Sequence, residues 1–228
     1  VKRLSLEDPF TKQLVVGDEV RDHAIAGSTF TWHPYRAPSG LLRVEEAPNW
    51  HRALYRARTS IANRATFNKL PYYLDKKHWH EWHMVQDPNN WTPLSIAFAE
   101  VATHNHFVLD RGGKIFKQTA PVIKLPKGSS EDKHIDLLGF LNSSTACFWL
   151  KQNCFGKGLG GVNQESRHAV FEEFFQFNGT TLKDLPIAAG SVSERARRID
   201  QRAQELAAVE PAALLEGSSP SAGLFARG

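Results

Sequence analysis

The stretch between residues 93 and 125 limits the possible fold more than any other part of the chain, because it consists of short apolar runs separated by turn residues. The runs "HFVLD" (106–110) and "KIFKQ" (114–118) flank Arg111, Gly112 and Gly113, and glycine supplies the positive φ angles of a tight turn. Pro121 begins a further apolar run, where its missing N–H removes no ladder hydrogen bond. We therefore expect a β-hairpin over residues 106–118.

Helical spacing of apolar residues appears in three other stretches. Residues 49–65 carry such a stripe, and residues 134–152 carry a second one that polar residues 142–144 interrupt. Residues 191–209 predict a third helix, with Ser191 or Ser193 as its cap. Its predicted apolar line is Ile199, Ala203 and Leu206.

Strands and helices mixed in this way predict an α+β fold, with a mixed, largely antiparallel sheet, packed helices and a trailing C-terminal helix. We expect one main domain over residues 1–190 and a spacer or docking helix over residues 191–216. The small and polar residues at 217–228 predict a disordered tail.

Positive charge is concentrated in the first part of the chain, although the net charge is only +4. Residues 1–70 hold eleven Lys and Arg against seven Asp and Glu, whereas residues 131–228 hold ten against twelve. Residues 49–70 contain five basic side chains and no acidic one. Such a stretch fits either contact with a polyanion or a helix with a solvated basic face.

The composition is that of a soluble globular protein, with 41% hydrophobic and 23% charged residues. Cys147 and Cys154 lie in one apolar stretch, so we expect reduced core thiols. No apolar run approaches the roughly 20 residues of a membrane span, and no signal peptide is visible. We expect a cytoplasmic protein that has no membrane contact and is part of a longer polypeptide.

Two histidine-rich segments suggest metal sites, and neither has the required spacing. His104, Asn105 and His106 spell the letters that name a class of metal-dependent nucleases, but in that class the three residues lie far apart in sequence. Successive residues of a strand alternate between faces, so Asn105 would point away from both histidines. The segment "HWHEWHM" (78–84) places its last histidine one residue too early for a zinc-binding His-Glu-x-x-His helix. We expect no metal site, and ring packing around residues 78–84.

A complete catalytic set is also missing. Gly156, Gly158 and Gly161 match G-x-G-x-x-G but follow a helical pattern in place of a strand, so a flexible loop is predicted. The chain has no Walker loop and no Gly-x-Ser-x-Gly. The segment "DPNN" (87–90) shares only its first two residues with the Asp/Asn-Pro-Pro-Tyr/Phe motif of amino-methyltransferases. These absences favour a binding function.

Several segments occur along the chain in a characteristic order. They are "GDEVRD" (17–22), "WHPYR" (32–36), Arg64 before "FNK" (67–69), "WHEW" (79–82), "TPLSIAFAEVATHNHFVLDRGGKIFKQTAPVIKLP" (92–126), "LLGFLNSSTACFWLKQ" (137–152) and "LKDLPI" (182–187). Together they resemble the C-terminal target-recognition region of large adenine-specific DNA methyltransferases. The resemblance is to PglX-type enzymes of the phage growth limitation and BREX defence systems. The TaqI-like specificity domains of type IIG restriction-modification enzymes are similar.

The resemblance covers roughly residues 10–190, and it implies a division of labour. An upstream domain of the same polypeptide would bind S-adenosylmethionine and methylate an adenine flipped out of the duplex, so this segment would need no cofactor. The region that this chain resembles would read the sequence of double-stranded DNA, so residues 1–190 would be a target-recognition (DNA specificity) domain. Other defence proteins would be further partners. Departures from the family pattern at His23, Asn68 and His80 leave the base preference open.

The side chains that suit these contacts can be named from their chemistry. Base readout requires paired donors and acceptors, which the predicted hairpin offers at Arg111, Lys114, Lys117 and Gln118. Phosphate contacts require cations, and the candidates are Arg52, Arg56, Lys69, Lys76 and Lys77. For each residue the alternative is a solvated surface position. The alternative function is a protein-interaction module that docks a defence partner, for example through the 191–209 helix.

Overall fold

A computed structural model describes residues 6–7, 10–27, 29–36, 40–83, 93–157, 173–187 and 190–209. Helices and mostly antiparallel sheets are mixed along this part of the chain, which confirms the α+β class. Residues 158–161 of the glycine motif, residues 210–216 of the expected spacer helix and the expected tail at 217–228 lie outside the described residues. Across the described ranges no helix is both long enough and apolar enough to cross a membrane.

The elements are numbered in chain order. The strands are β1 (Thr11–Val15), β2 (Val20–Arg21), β3 (Ala24–Ile25), β4 (Phe30–Trp32), β5 (Tyr35–Arg36), β6 (Gly40–Leu41), β7 (Ser95–Phe98), β8 (Val101–Ala102), β9 (Phe107–Asp110), β10 (Lys114–Phe116), β11 (Val122–Ile123), β12 (Phe155–Lys157) and β13 (Phe174–Gln176). The helices are α1 (Pro48–Tyr55), α2 (Arg58–Ala62), α3 (Glu131–Leu141), α4 (Ser144–Asn153), α5 (Gly179–Lys183) and α6 (Ser193–Val209).

The chain folds as two compact units. Unit 1 contains Val1–Leu14, Ser28–Pro93 and Gly112–Ile115. Unit 2 contains Val15–Gly27, Leu94–Arg111 and Phe116–Gly228. The chain therefore passes between the units five times, and most of unit 1 is a single internal segment.

Unit 1 is organised around an aromatic cluster. The ring of Trp32 on β4 stacks on Phe10 at a centroid distance of 5.5 Å, and the ring of Trp50 on α1 lies 5.4 Å from Trp32. The indole of Trp50 donates to Thr11 Oγ1, and that of Trp32 donates to the carbonyl of His80. Because these buried N–H groups are paired, the cluster fixes which face of α1 points inward.

The segment 78–84 contributes rings to the same cluster, as its composition predicted. The ring of His80 is buried, with Nε2 3.1 Å from the carbonyl oxygen of Leu42. It lies 5.6 Å from the ring of Trp79 and 5.6 Å from that of His78. Burial lowers the pKa of His80, so its neutral form is favoured in the folded state.

Unit 2 is built on the sheet β11–β7–β9, whose strands pair antiparallel. Every residue of β7 and β9 is buried, and α3 packs on both strands. A second sheet, β12–β13–β8, and the two-stranded β2–β3 hairpin belong to the same unit. The thiols of Cys147 and Cys154 are free, and burial raises the pKa of Cys154.

The predicted hairpin over residues 106–118 is wrong, although both of its strands exist. Strand β9 pairs with β7, whereas β10 pairs with β1 in the separate sheet β10–β1–β4. Gly112 and Gly113 do have positive φ, 101° and 85°, but they direct the chain from one sheet into the other. The glycines show only that the chain turns there, and the choice of partner strand depends on distant residues.

Helix boundaries agree with the sequence in part. The stripe over 134–152 forms α3 and α4, and Ser143 caps α4 by accepting a hydrogen bond from the backbone N–H of Ala146. The stripe over 49–65 was predicted as one helix, but it forms two short helices, α1 and α2, separated at residues 56–57.

The trailing helix α6 packs along α3, and its predicted apolar line is wrong. Ala196 and Asp200 are the buried residues of α6, whereas Ile199 and Leu206 are 52% and 63% exposed. A Cβ atom at Gly139 of α3 would overlap that of Ala196. The two helices therefore approach closely through small side chains, and large apolar residues do not fit between them.

Candidate nucleic-acid interface

Unit 1 carries a strongly cationic stretch of chain. Residues 48–77, here called the cationic–aromatic segment, contain seven Lys and Arg and one acid, Asp75. The segment comprises α1, α2 and the loops that follow them. The one carboxylate is engaged locally, because Asn68 donates to it at 3.0 Å. The excess of positive charge in this segment produces an electrostatic potential that attracts phosphates.

Two arginines, one in α1 and one directly after it, point into solvent. Trp50 is buried on the inner face of the helix, and Arg52 and Arg56, four residues apart, are exposed. Neither guanidinium forms an ion pair or a side-chain hydrogen bond with another residue of the described ranges. Both predicted phosphate contacts are therefore accessible to a ligand.

The orientation of α1 is fixed at its beginning by a distant carboxylate. The backbone N–H groups of Asn49 and Trp50 donate to the carboxylate of Glu7 at 2.8 and 3.2 Å. Burial alone would raise the pKa of Glu7, but these backbone hydrogen bonds hold it below the ordinary value. A charged Glu7 thus serves as the N-terminal cap that the sequence around α1 lacks.

Two further predicted phosphate contacts, Lys69 and Lys76, are exposed in tight turns. Their φ angles are 59° and 54°, in the left-handed region that residues other than glycine seldom adopt. A bridge between Ala65 and Pro71 closes the first of these loops, and the backbone N–H of Lys69 donates to the carbonyl of Thr66. The loop tip thus presents Lys69 outward on a constrained backbone.

Lys77, the fifth predicted phosphate contact, is engaged inside unit 1. Its ammonium lies 3.9 Å from the Glu81 carboxylate and 5.8 Å from the centre of the Tyr72 ring. Arg64 is held even more firmly, because its guanidinium donates to three backbone carbonyls and lies 4.5 Å from the same ring. Both cations thus have contacts within unit 1, and a phosphate would have to compete with Glu81 for Lys77.

Exposed apolar side chains alternate along the cationic–aromatic segment with its exposed Lys and Arg side chains. Such side chains are unusual at this density on a surface that faces only water. They are Tyr55 (55% exposed), Phe67 (72%), Leu70 (42%), Tyr73 (61%) and Leu74 (58%). Rings offer stacking surfaces for bases, and apolar side chains can wedge between base steps. No sequence motif predicts a role for these residues, although each lies within four positions of a Lys or Arg.

The four predicted base-reading residues are divided between the two units. Lys114 belongs to unit 1, whereas Arg111, Lys117 and Gln118 belong to unit 2. Lys114 is half-buried and has an interaction of its own. Lys117 and Gln118 are exposed in a turn that the backbone N–H of Ala120 closes onto the carbonyl of Lys117.

Arg111 is occupied by two carboxylates of unit 2. Its Nη2 atom lies 2.7 Å from Asp200 Oδ2 and 2.7 Å from Glu131 Oε1, so it links the end of β9 to α6 and α3. Burial alone would lower the pKa of Arg111, but the hydrogen bonds that it donates to Asp200 and Glu131 raise it. The Arg111 guanidinium therefore has a structural role in unit 2. A base edge would have to compete with the two carboxylates for its hydrogen bonds.

The comparisons with known proteins point to one relative. No family model matches the chain. The chain is 42% identical over 227 residues to the adenine-specific methyltransferase PglX of Streptomyces coelicolor, a match that covers 98% of this chain. The match covers 19% of PglX, so the chain spans about a fifth of the length of that relative. The chain is thus related to one segment of the adenine-specific methyltransferase PglX.

Proposed function

We propose that this chain binds double-stranded DNA and contributes to sequence recognition as the specificity region of an adenine-specific DNA methyltransferase. The observation that carries the proposal is the cationic–aromatic segment, in which Arg52 and Arg56 are exposed and pair with no other residue of the described ranges. The relation to a segment of PglX supports the same assignment. S-adenosylmethionine binding and methyl transfer would belong to other parts of the parent enzyme, in a bacterial phage-defence or restriction-modification system.

The chemistry of the segment suits a duplex better than a protein surface. Each Lys or Arg that neutralises a phosphate releases condensed counterions, so affinity falls as salt rises. Exposed rings beside the cations add stacking or wedging contacts that do not depend on sequence. The segment would therefore hold the duplex, and the selection of bases would fall to other exposed polar residues.

Lys117 and Gln118 are the base-reading candidates that we retain, because both are exposed in the same turn. A glutamine can bond adenine through two atoms and a lysine can donate to guanine. We leave Arg111 out of this set, because Glu131 and Asp200 already hold its guanidinium. In a bacterium this role would place the protein in the cytoplasm, together with the DNA.

Duplex binding by the chain, measured by fluorescence anisotropy over a range of salt concentrations, tests the proposal. We expect log affinity to fall linearly with log salt, by roughly 0.9 for each phosphate neutralised. The Arg52→Ala/Arg56→Ala variant should lower that slope by roughly 2 and weaken all sequences alike. An affinity that does not change with salt contradicts the proposal.

A matched control removes the same charge elsewhere. Arg195 and Arg198 of α6 are also exposed, so Arg195→Ala/Arg198→Ala lowers the net charge equally in unit 2. We expect this control to keep most of the affinity. Equal losses in the two double variants would show that only net charge matters, and the assignment of the cationic–aromatic segment would fail.

A second candidate function, protein docking through α6, is favoured by one observation. Ile199, Leu206 and Val209 are 52%, 63% and 61% exposed along this helix. The partner would be another part of the parent polypeptide or another protein of the defence system. Ile199→Asp/Leu206→Asp should abolish association with the separately produced remainder of the parent and leave DNA binding intact. Loss of DNA binding with association retained would exclude this candidate.

A further inference from the structure

Two histidines of unit 2 face each other, as their spacing in "HNH" (104–106) allows. The ring centroids of His104 and His106 lie 4.0 Å apart. Asn105 points the other way, as predicted; its side chain is buried and donates to the carbonyl of Leu141. Asn105 therefore does not join the two histidines, as the nuclease motif would require. The two imidazoles nevertheless lie on the same side of the chain.

A carboxylate from a distant part of the sequence completes the group. Asp22 lies at the turn between β2 and β3, and the next residue, His23, has a φ of 58°. The backbone N–H of His23 donates to the carbonyl of Phe107, which attaches the turn to β9. Asp22 Oδ1 lies 2.8 Å from His106 Nδ1, and Asp22 Oδ2 lies 3.9 Å from His104 Nε2.

The orientation of His104 is set by its other ring nitrogen. Nδ1 of His104 lies 3.1 Å from Thr103 Oγ1, so Nε2 is directed towards Asp22. An outer hydrogen bond of this kind selects the tautomer and ring position of a metal-ligating histidine. The three potential ligand atoms all lie within 4.8 Å of one another.

Two imidazoles and a carboxylate form a donor set that suits zinc and other divalent transition metals. Bonds of about 2.0–2.1 Å in a tetrahedral site place ligand atoms roughly 3.4 Å apart, a separation that small side-chain rotations would reach here. The side chains of His104 and Asp22 are 46% and 54% exposed, so an ion can enter from solvent. A fourth position would stay open to water.

We propose that Asp22, His104 and His106 form a binding site for one divalent transition-metal ion, with zinc as the preferred ion. The ion would join the β2–β3 turn to the residues that precede β9. Sequence motifs do not reveal such a site, because its carboxylate lies 82 residues from the first histidine. The proposal is independent of the proposed DNA-binding function.

Metal titration of the 228-residue chain tests this site. We expect isothermal titration calorimetry with Zn²⁺ to show one bound ion per chain. Co²⁺ should give the visible absorption of a nitrogen- and oxygen-ligated ion. The His104→Ala/His106→Ala variant should lower zinc affinity at least about tenfold, since even the loss of an outer partner costs that much.

Two further variants make the result decisive. Asp22→Asn keeps the size of the side chain and a hydrogen bond to His106, and it should still weaken zinc at least about tenfold without unfolding the protein. His78→Ala/His83→Ala removes two exposed histidines from unit 1 and should change nothing. Equal zinc affinity in all variants would overturn the proposal. A thiolate charge-transfer band with Co²⁺ would also overturn it, because it would assign the ion to a cysteine.

Discussion

The ion pair between Arg111 and Asp200 yields a quantitative prediction about stability. The side chain of Asp200 is 5% exposed, and Arg111 Nη2 contacts its carboxylate at 2.7 Å. The other carboxylate oxygen, Oδ1, is buried with no hydrogen-bond partner in the described part of the chain. Arg111→Ala would therefore leave a buried negative charge without compensation.

The expected cost follows from this burial. Removing one partner of a buried ion pair costs about 3–5 kcal/mol. Because the Arg111 side chain is itself 38% exposed, water can partly replace it, and we expect about 2–3 kcal/mol. Glu131, 44% exposed, adds about 0.5 kcal/mol at most.

Urea unfolding followed by helical circular dichroism measures this cost, since α3, α4 and α6 provide most of the helix. In a double-mutant cycle, Arg111→Ala/Asp200→Ala should be less destabilised than the sum of the single variants by about 1–2 kcal/mol. Arg202→Ala, which breaks only an exposed pair with Glu205, should stay within about 0.5 kcal/mol of the wild type.

Two results would refute the structural role of Arg111. One is a loss below about 1 kcal/mol in Arg111→Ala, or a cycle that is additive. The other is relaxed DNA sequence preference in the folded Arg111→Ala variant. That outcome would restore the base-reading role that the sequence predicts for this residue.

Three other changes probe the packing and protonation described above. Gly139→Ala should destabilise by about 1–2 kcal/mol in thermal unfolding, because its Cβ would overlap Ala196; a stabilised variant would contradict this. Burial lowers the pKa of His33 to about 4, so the unfolded chain binds a proton that the native state does not. Stability should therefore fall by up to about 3 kcal/mol as pH drops from about 6.5 to 4, and His33→Phe should flatten the urea-unfolding profile over that range. The pKa of Glu7 is lowered, so its contribution exists above the ordinary carboxyl pKa and is lost in acid. Glu7→Gln should cost about 0.5–1 kcal/mol at neutral pH and progressively less as the pH falls below the ordinary carboxyl pKa.

Local features of the structure follow from the sequence, because they depend on neighbours in the chain. The break between α3 and α4 lies at Asn142 and Ser143, where a polar segment interrupts the stripe and a serine can cap the next helix. The turn at Gly112 and Gly113 has the positive φ angles that the glycines predict. Such features need no knowledge of the rest of the fold.

Features that depend on distant residues could not be predicted in this way. The pairing of β10 with β1, and not with β9, is decided by strands about 100 residues apart. The buried face of α6 is set by Gly139, whose small size lets Ala196 approach and leaves Ile199 outside. Arg111 has the chemistry of a base reader, and only the positions of Glu131 and Asp200 show that it is occupied.

The order of the two units along the chain bears on how related proteins can exchange segments. Residues Ser28–Pro93 form most of unit 1 as one uninterrupted insertion between two parts of unit 2, and they contain the whole cationic–aromatic segment. Recombination that exchanges this insertion between relatives would transfer the cationic–aromatic segment as a whole and leave the strands β7 and β9 unchanged. By contrast, each unit consists of three separate segments of the chain. Exchange of only the N-terminal or C-terminal part of the gene would therefore combine segments from different proteins within one unit.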